Sequence, residues 1–259
     1  MTTEIHPTAM VASGAQLGDG VRVGALATIE AGVSIGARTA VREGVVIRTG
    51  TRIGENCKIY PYTVVGEEPQ HLGYKGEETL VTIGNNVTLR EYVTVNKATA
   101  TGKGETTVED NAFIMAYTHV AHDCRVGKNA TIANAVQLAG HVQVGNFAFI
   151  GGSSAVTQFN RIGDHCFIGG GSLIRKDLAP YLAGKGNEFK VQSVNIIGLS
   201  RNGFSDESIR KLRNLYKIFF LQKLTVSQAI EKIGVELDTS DEITQFLEFV
   251  KSSKNGLHR

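Results

Sequence analysis

Residues 126–168 read VGKNAT IANAVQ LAGHVQ VGNFAF IGGSSA VTQFNR IGDHCF I. Val126, Ile132, Leu138, Val144, Ile150, Val156, Ile162 and Ile168 each stand six positions after the last. An α-helix would repeat its apolar residues at three and four, and a half-buried strand would alternate at two. A period of six fits neither as a continuous element, but it fits short strands joined by turns. The pattern extends back through Val108, Ile114 and Val120 and forward to Ile174. A shorter run holds Ile83, Leu89 and Val95, and a longer one leads from Ile5 to Val65, which makes 26 units in all.

Each unit reads as one flat side of a coil, and three units complete a triangular turn. Coils stack about 4.8 Å apart, so residues three units apart lie one above the other. Gly often follows the aliphatic residue, as at Gly18, Gly36, Gly127 and Gly145, where tight turning of the backbone is expected. The fourth residue after it is small, as at Ala27, Thr39, Thr63, Thr118, Ala130 and Ser154. Cys57, Cys124 and Cys166 occupy this same position, show no C-x-x-C pairing, and read as interior side chains.

Composition agrees with a narrow, repetitive core. The 259 residues are 42% hydrophobic and 20% charged, with 30 Gly, 11 Phe, 7 Tyr and no Trp, so small and β-branched side chains line the interior. A net charge of +2 gives no field that would attract nucleic acid or a membrane surface. The N-terminus has no basic segment followed by an apolar stretch, and no run approaches membrane-spanning length. A soluble, cytoplasmic protein without a membrane span is expected.

The rhythm breaks twice. Between Val65 and Ile83 the segment GEEPQHLGYKGEETLVT abandons the aliphatic pattern for the length of one whole coil, so the phase is expected to be kept. Between Val95 and Val108 the step overshoots one unit by seven positions. Loops near 67–82 and 97–107 therefore leave the scaffold, and loops on a rigid scaffold are where function concentrates. After Ile174 the repeat fades. Ser205, Asp206 and Glu207 form a helix start, followed by Ile209, Leu212, Leu215, Tyr216 and Phe219 at helical spacing. Further amphipathic stretches lie near 225–234 and 240–254. Residues 1–190 are assigned to the solenoid and 191–259 to a helical domain that covers its open end.

Three of the seven histidines, His119, His122 and His141, fall close together on the coil. By the three-unit spacing His141 lies above Asp123, Gly140 above His122 and Gln137 above His119. Asp123 can hold the His122 imidazole in one tautomer, since neighbouring side chains that point apart in a strand can meet at a coil corner. Gly140 can offer a backbone N–H to an oxyanion at close range. A base with an oxyanion donor suggests acyl transfer. A zinc site on His119, His122 and His141 is the competing reading, and a solenoid without catalysis a third; H-x-x-H spacing alone does not decide.

The segments THVAHDC (118–124), LAGHV (138–142), AVTQF (155–159), VNIIGL (194–199), RNGFS (201–205) and LYK (215–217) resemble the UDP-N-acetylglucosamine O-acyltransferase family over essentially the whole chain. The resemblance implies a left-handed parallel β-helix of hexapeptide repeats, a β-solenoid, with a C-terminal α-helical domain. It implies transfer of an (R)-3-hydroxyacyl chain from acyl carrier protein to the 3-position of the sugar, the first step of lipid A synthesis, with no cofactor or metal, in a homotrimer with sites between subunits. It makes His122 the general base, Asp123 its support and Gly140 the oxyanion donor. His119 and His141 match residues near the sugar and thioester, and Gln70 matches one that touches the sugar. Gln158, Asn195 and Arg201 match nucleotide-side or carrier-side contacts, and Gly170 one that lines the acyl groove.

Several positions depart from that pattern. His71 stands where the family usually has aspartate, Gly73 where it has lysine (with Lys75 two residues later as a substitute), Thr157 in place of histidine, Asn202 in place of a second arginine, and Ile197 where an acidic residue is common. These changes leave the catalytic set intact and bear on the acceptor, for which a 3-amino nucleotide sugar, acylated on nitrogen, is the alternative. Glu188 matches a position related to chain length. Arg175, Lys176, Lys185 and Lys190 offer cations to an acidic carrier protein.

Overall fold

The computed structural model describes residues 2–259. Twenty-six short strands, from β1 (Glu4–Ile5) to β26 (Leu173–Ile174), end at or within two residues of the periodic aliphatic positions. They pair in parallel as three sheets, the faces of a triangular β-helix. The first face carries Ile59, Leu89, Ile114, Ile132 and Ile150, the second Val65, Val95, Val120, Leu138 and Val156, the third Ile83, Val108, Val126 and Val144.

From Val23 onward the aliphatic residues point inward and are buried, with Ile29, Ile47, Ile59, Leu89, Ile114, Ile132 and Leu138 almost completely so, whereas Ile5 on the first, uncovered coil is exposed. Burying each such side chain contributes about 1.5–3 kcal/mol. The small residues four positions later lie inside as well, and many carry a donor. Thr39 Oγ1 reaches the Gly54 carbonyl at 2.8 Å, Thr118 Oγ1 that of Ala133 at 3.0 Å, and Cys124 Sγ that of Ala139 at 3.1 Å. The three cysteines are free and buried.

The glycines that follow the aliphatic residues serve close stacking, not the turn. A β-carbon at Gly36 would lie 2.6 Å from the Gly54 carbonyl carbon, and one at Gly145 would lie 2.4 Å from Asp164 Oδ1. The turn is made two residues later by corner residues in the left-handed region, among them Asn56, Asn86, Asn111 and Asn129. Such residues cost about 1–2 kcal/mol each. Stacking offsets this through corner hydrogen bonds such as Asn129 N–H to the Asp110 carbonyl at 3.0 Å.

One expectation fails. Ile83 pairs with Ile53, and Val65 pairs with Val95, so Ile83 does not lie above Val65. Residues 66–82 span one side of the triangle, and the excess chain bulges out as a loop over 68–79. Residues 97–104 bulge out in the same way one coil later. Both loops leave the corner between the second and third faces, and they are joined: Thr79 Oγ1 donates to the Ala98 carbonyl, and Leu80 N–H to that of Gly104 at 2.9 Å.

Strands β27 (Leu182–Lys185) and β28 (Lys190–Val194) form an antiparallel hairpin on the edge of the first face, so β-structure runs past residue 190. Four helices follow: α1 (Ile196–Arg201), α2 (Asp206–Tyr216), α3 (Val226–Glu236) and α4 (Asp241–Lys251), with a π-helical turn at Lys217–Leu221. Side chains of Ser205, Thr225 and Ser240 cap the last three α-helices. Phe219 and Phe246 are buried edge to face at 5.2 Å. The tail returns to the last coil, where Asp177 bridges to Leu257 and His258 Nε2 accepts the N–H groups of Arg175 and Lys176 at 3.2 Å each. Among the described residues no helix is long and apolar enough to cross a membrane.

Candidate active site

The corner that extrudes both loops also holds the histidines. Asp123 is a corner residue with φ +60°, and His141, one coil above, has φ +63°. This left-handed backbone lets the adjacent side chains of His122 and Asp123 meet, with Nδ1 and Oδ2 2.9 Å apart. His141 N–H donates to the His122 carbonyl at 3.0 Å, which locks the two coils in register.

Asp123 has a fully buried side chain. Its Oδ2 accepts from Thr99 N–H at 3.0 Å and Thr99 Oγ1 at 2.8 Å, and its Oδ1 accepts from Lys103 N–H at 3.0 Å. Burial pushes this carboxyl up, but hydrogen bonds from His122 and Thr99 and the nearby His141 outweigh it and hold the group below the usual carboxylate range. An ionised carboxylate only accepts, so His122 carries a proton on Nδ1, and in the neutral imidazole the lone pair then falls on Nε2. Gly140 lies against that nitrogen, and its N–H has no acceptor among the described residues.

Around this pair lie other imidazoles. The His71 ring, from the first loop, meets that of His122 edge to face at 5.3 Å, and His141 does so at 5.1 Å. His119 Nδ1 bonds Thr94 Oγ1 at 2.7 Å. Burial lowers the basicity of His119, aided by His122. Burial also lowers that of His141, against the pull of Asp123. Gln70, His71, His119, His122, Gln137, Gly140, Thr157 and Gln158 line one open groove of about 600 Å³.

The remaining expected residues lie elsewhere. Asn195 and Arg201 line a second groove, of about 780 Å³, between the first face and α1, together with Phe147, Phe149, Phe167, Ile197 and Asn202. Asn195 caps α1, and its Nδ2 donates to the His165 carbonyl at 2.8 Å. The two grooves share no lining residue. Gly170 is exposed at the corner between the first and second faces, and Lys75 is exposed in the first loop, where its N–H is held by Glu77 at 2.9 Å. Sequence reasoning missed Thr99, Lys103 and Thr94; the one signal for the first two was the extra length of the second loop.

Donor atoms of His122, Asp123 and His141 lie within 4.8 Å of one another, and His119 is not in that set. The set does not fit a cation. Oδ2 of Asp123 already accepts three hydrogens, and its Oδ1 accepts a fourth from the second loop.

A hexapeptide-built β-helix with a His–Asp pair at a coil corner defines a transferase of the hexapeptide class. The family model for bacterial transferase hexapeptide repeats matches residues 14–49 and 105–140, and that for UDP-N-acetylglucosamine O-acyltransferase domain 2 matches residues 177–258. Proteins named acyl-[acyl-carrier-protein]–UDP-N-acetylglucosamine O-acyltransferase are similar throughout. The one from Sulfurihydrogenibium sp. is 52% identical over 254 residues, covering 98% of this chain and 94% of the relative. The one from Trichlorobacter lovleyi is 52% identical over 258 residues, covering 98% and 99%. The solved UDP-N-acetylglucosamine acyltransferase from Bacteroides fragilis superposes with a TM-score of 0.97 at 35% identity, covering 98% and 100%. That from Moraxella catarrhalis gives 0.95 at 36%, covering 98% and 99%. The chain belongs to the acyl-[acyl-carrier-protein]–UDP-N-acetylglucosamine O-acyltransferase family, and its β-helix is left-handed.

Proposed function

We propose that this chain transfers an (R)-3-hydroxyacyl group from acyl carrier protein to the 3-hydroxyl of UDP-N-acetylglucosamine, with His122 as general base. The observation that carries the residue roles is the free Nε2 of His122, set by the Asp123 hydrogen bond and facing Gly140. Nε2 takes the proton of the sugar 3-hydroxyl as its oxygen attacks the thioester carbonyl carbon. The tetrahedral oxyanion receives the Gly140 N–H. Collapse breaks the carbon–sulfur bond, and the departing thiolate takes the proton from His122, which leaves an ester and a free carrier thiol.

Gln70, His71, His119 and His141 surround the acceptor in this reading, and Gln158 lies at the upper end of the same groove. Asn195 and Arg201 serve the nucleotide or the carrier from the second groove. Two half-sites on different faces of one subunit fit a homotrimer in which one copy's His122 corner meets its neighbour's first face. The reading places the enzyme in the cytoplasm, where the carrier protein is. Initial rates with UDP-N-acetylglucosamine and with its 3-amino analogue, using 3-hydroxyacyl carrier protein, test the acceptor. A clear preference for the hydroxy sugar is expected, and preference for the amine would move the reading to N-acylation.

A further inference from the structure

The proposed base is oriented by Asp123, and Asp123 is itself held by a loop that is not part of the β-helix. Of the four donors on its carboxylate, three come from residues 99–103: the N–H and Oγ1 of Thr99 and the N–H of Lys103. Thr99 is buried, with 4% of its surface exposed, although residues 100–103 that follow it are open to solvent. The loop folds back on itself, with Gly102 N–H donating to the Thr99 carbonyl at 3.2 Å. It presses so closely on Asp123 that a β-carbon at Gly102 would lie 2.0 Å from Oδ1. Thr106, at the foot of the same loop, accepts the Asp123 N–H at 2.8 Å. The solenoid builds the corner, and the loop fixes the carboxylate.

We propose that Thr99 is a positioning residue: its hydroxyl and N–H, with the N–H of Lys103 and the small Gly102, hold the Asp123 carboxylate in the one orientation that keeps the His122 proton on Nδ1 and its Nε2 free. This inference rests on the reading of His122 as the base. Asp123 Oδ2 is shared between Thr99 and His122, so the loop limits how much of the carboxylate's charge His122 receives. Removing the Thr99 hydroxyl leaves the carboxylate a stronger acceptor and freer to rotate. The first effect favours the protonated imidazole; the second lowers the fraction of His122 in productive orientation. The charged and titratable groups facing the pair are His71 from the first loop, Lys103 from the second, and His119 and His141 from the second face and its corner.

The test uses Thr99→Val, Thr99→Ser and Gly102→Ala in the full chain, with His122→Ala as reference. Thr99→Val is expected to lower kcat about tenfold, the transition-state equivalent of one weakened charged hydrogen bond. KM for the nucleotide sugar should hold within about twofold, and the acid limb of the kcat/KM profile should move to higher pH. Thr99→Ser restores both. Gly102→Ala, which keeps Thr99 and pushes a methyl against the carboxylate, is expected to lower kcat alone and to displace the low-field proton resonance of His122 Nδ1–H. Wild-type kcat and an unmoved acid limb in Thr99→Val, or Thr99→Ser behaving no better than Thr99→Val, overturns the proposal. If Thr99→Val does not fold, an unmoved resonance and wild-type kcat in Gly102→Ala overturn it instead. Wild-type activity in His122→Ala would refute the underlying base assignment, a result distinct from all of these.

Discussion

Gly140 is packed against His122 so tightly that a β-carbon at position 140 would lie 2.5 Å from Cε1 and 2.6 Å from Nε2 of the imidazole. Separations this short cannot persist, so Gly140→Ala must displace the ring or block the space beside Nε2. A loss of kcat/KM of at least about a hundredfold is expected, the size associated with losing a base or an oxyanion donor. The melting temperature should stay within a few degrees, because the clash is with a side chain at an open groove. Steady-state kinetics beside thermal melts check it.

His122→Ala removes the base and should cost about 10²–10⁴ in kcat. Asp123→Asn should be nearly as damaging. An amide placed at the meeting point of Thr99, Lys103 and His122 cannot accept from all of them, and it reverses the tautomer of His122 when its NH₂ faces Nδ1. Far-ultraviolet circular dichroism should be unchanged in His122→Ala, and near-wild-type turnover by either variant would remove the assigned roles.

Subunit mixing reads out the two grooves. If His122 and Arg201 serve one site from different copies, refolding His122→Ala chains together with Arg201→Ala chains restores activity in some mixed trimers. Two inactive preparations that stay inactive when mixed would place both residues in one subunit's site.

His258 makes stability depend on pH. Burial and the neighbouring Lys176 lower it to about 4, although a hydrogen bond to Phe189 and the nearby Asp177 pull the other way. In the unfolded chain the group titrates near 6.5. Between these values the unfolded chain binds the extra proton, so acid favours unfolding, and stability rises as pH climbs from about 4 to 6.5. His258→Gln keeps an acceptor for the Arg175 and Lys176 N–H groups without a titration. Its melting temperature should fall less than that of the wild type over this window, and parallel melting curves would dismiss the effect.

Cys124 and Cys166 are pushed up to about 12 by burial, and Cys57 is raised by burial as well. Almost no thiolate exists at pH 8. Native protein should resist a thiol reagent at that pH, and three thiols should react once it is unfolded. Rapid labelling of the native chain would contradict the interior placement.

The sequence made the β-helix legible because its core is written at one fixed interval, and the aliphatic series from Val108 to Ile174 maps residue for residue onto strand ends. The same interval placed Gly140 over His122 and His141 over Asp123. It failed between Val65 and Ile83, because a gap of that length can be a whole coil or one side plus a loop, and spacing cannot tell them apart. Only the pairing of Ile83 with Ile53 decides. Hydrogen bonds from irregular chain escaped for the same reason: nothing periodic brings Thr99 to Asp123. The helix start at Ser205 was readable from residue type, and the two later helices from their amphipathic spacing, whereas α1 is too short to carry a helical period. The placement of Asn195 and Arg201 in a separate groove depends on the hairpin that precedes them, which lacks a repeat of its own.

The stacking of like on like has a further consequence. Each coil touches only the one below and the one above, so the number of coils is a free parameter of the design. Adding one coil's length of chain in phase between Ile150 and Ile168 would raise the helical cap by about 4.8 Å and leave the His122 corner unchanged. The chain is thus a gauge with fixed graduations: the span from the histidine corner to the cap can be lengthened or shortened only in whole notches.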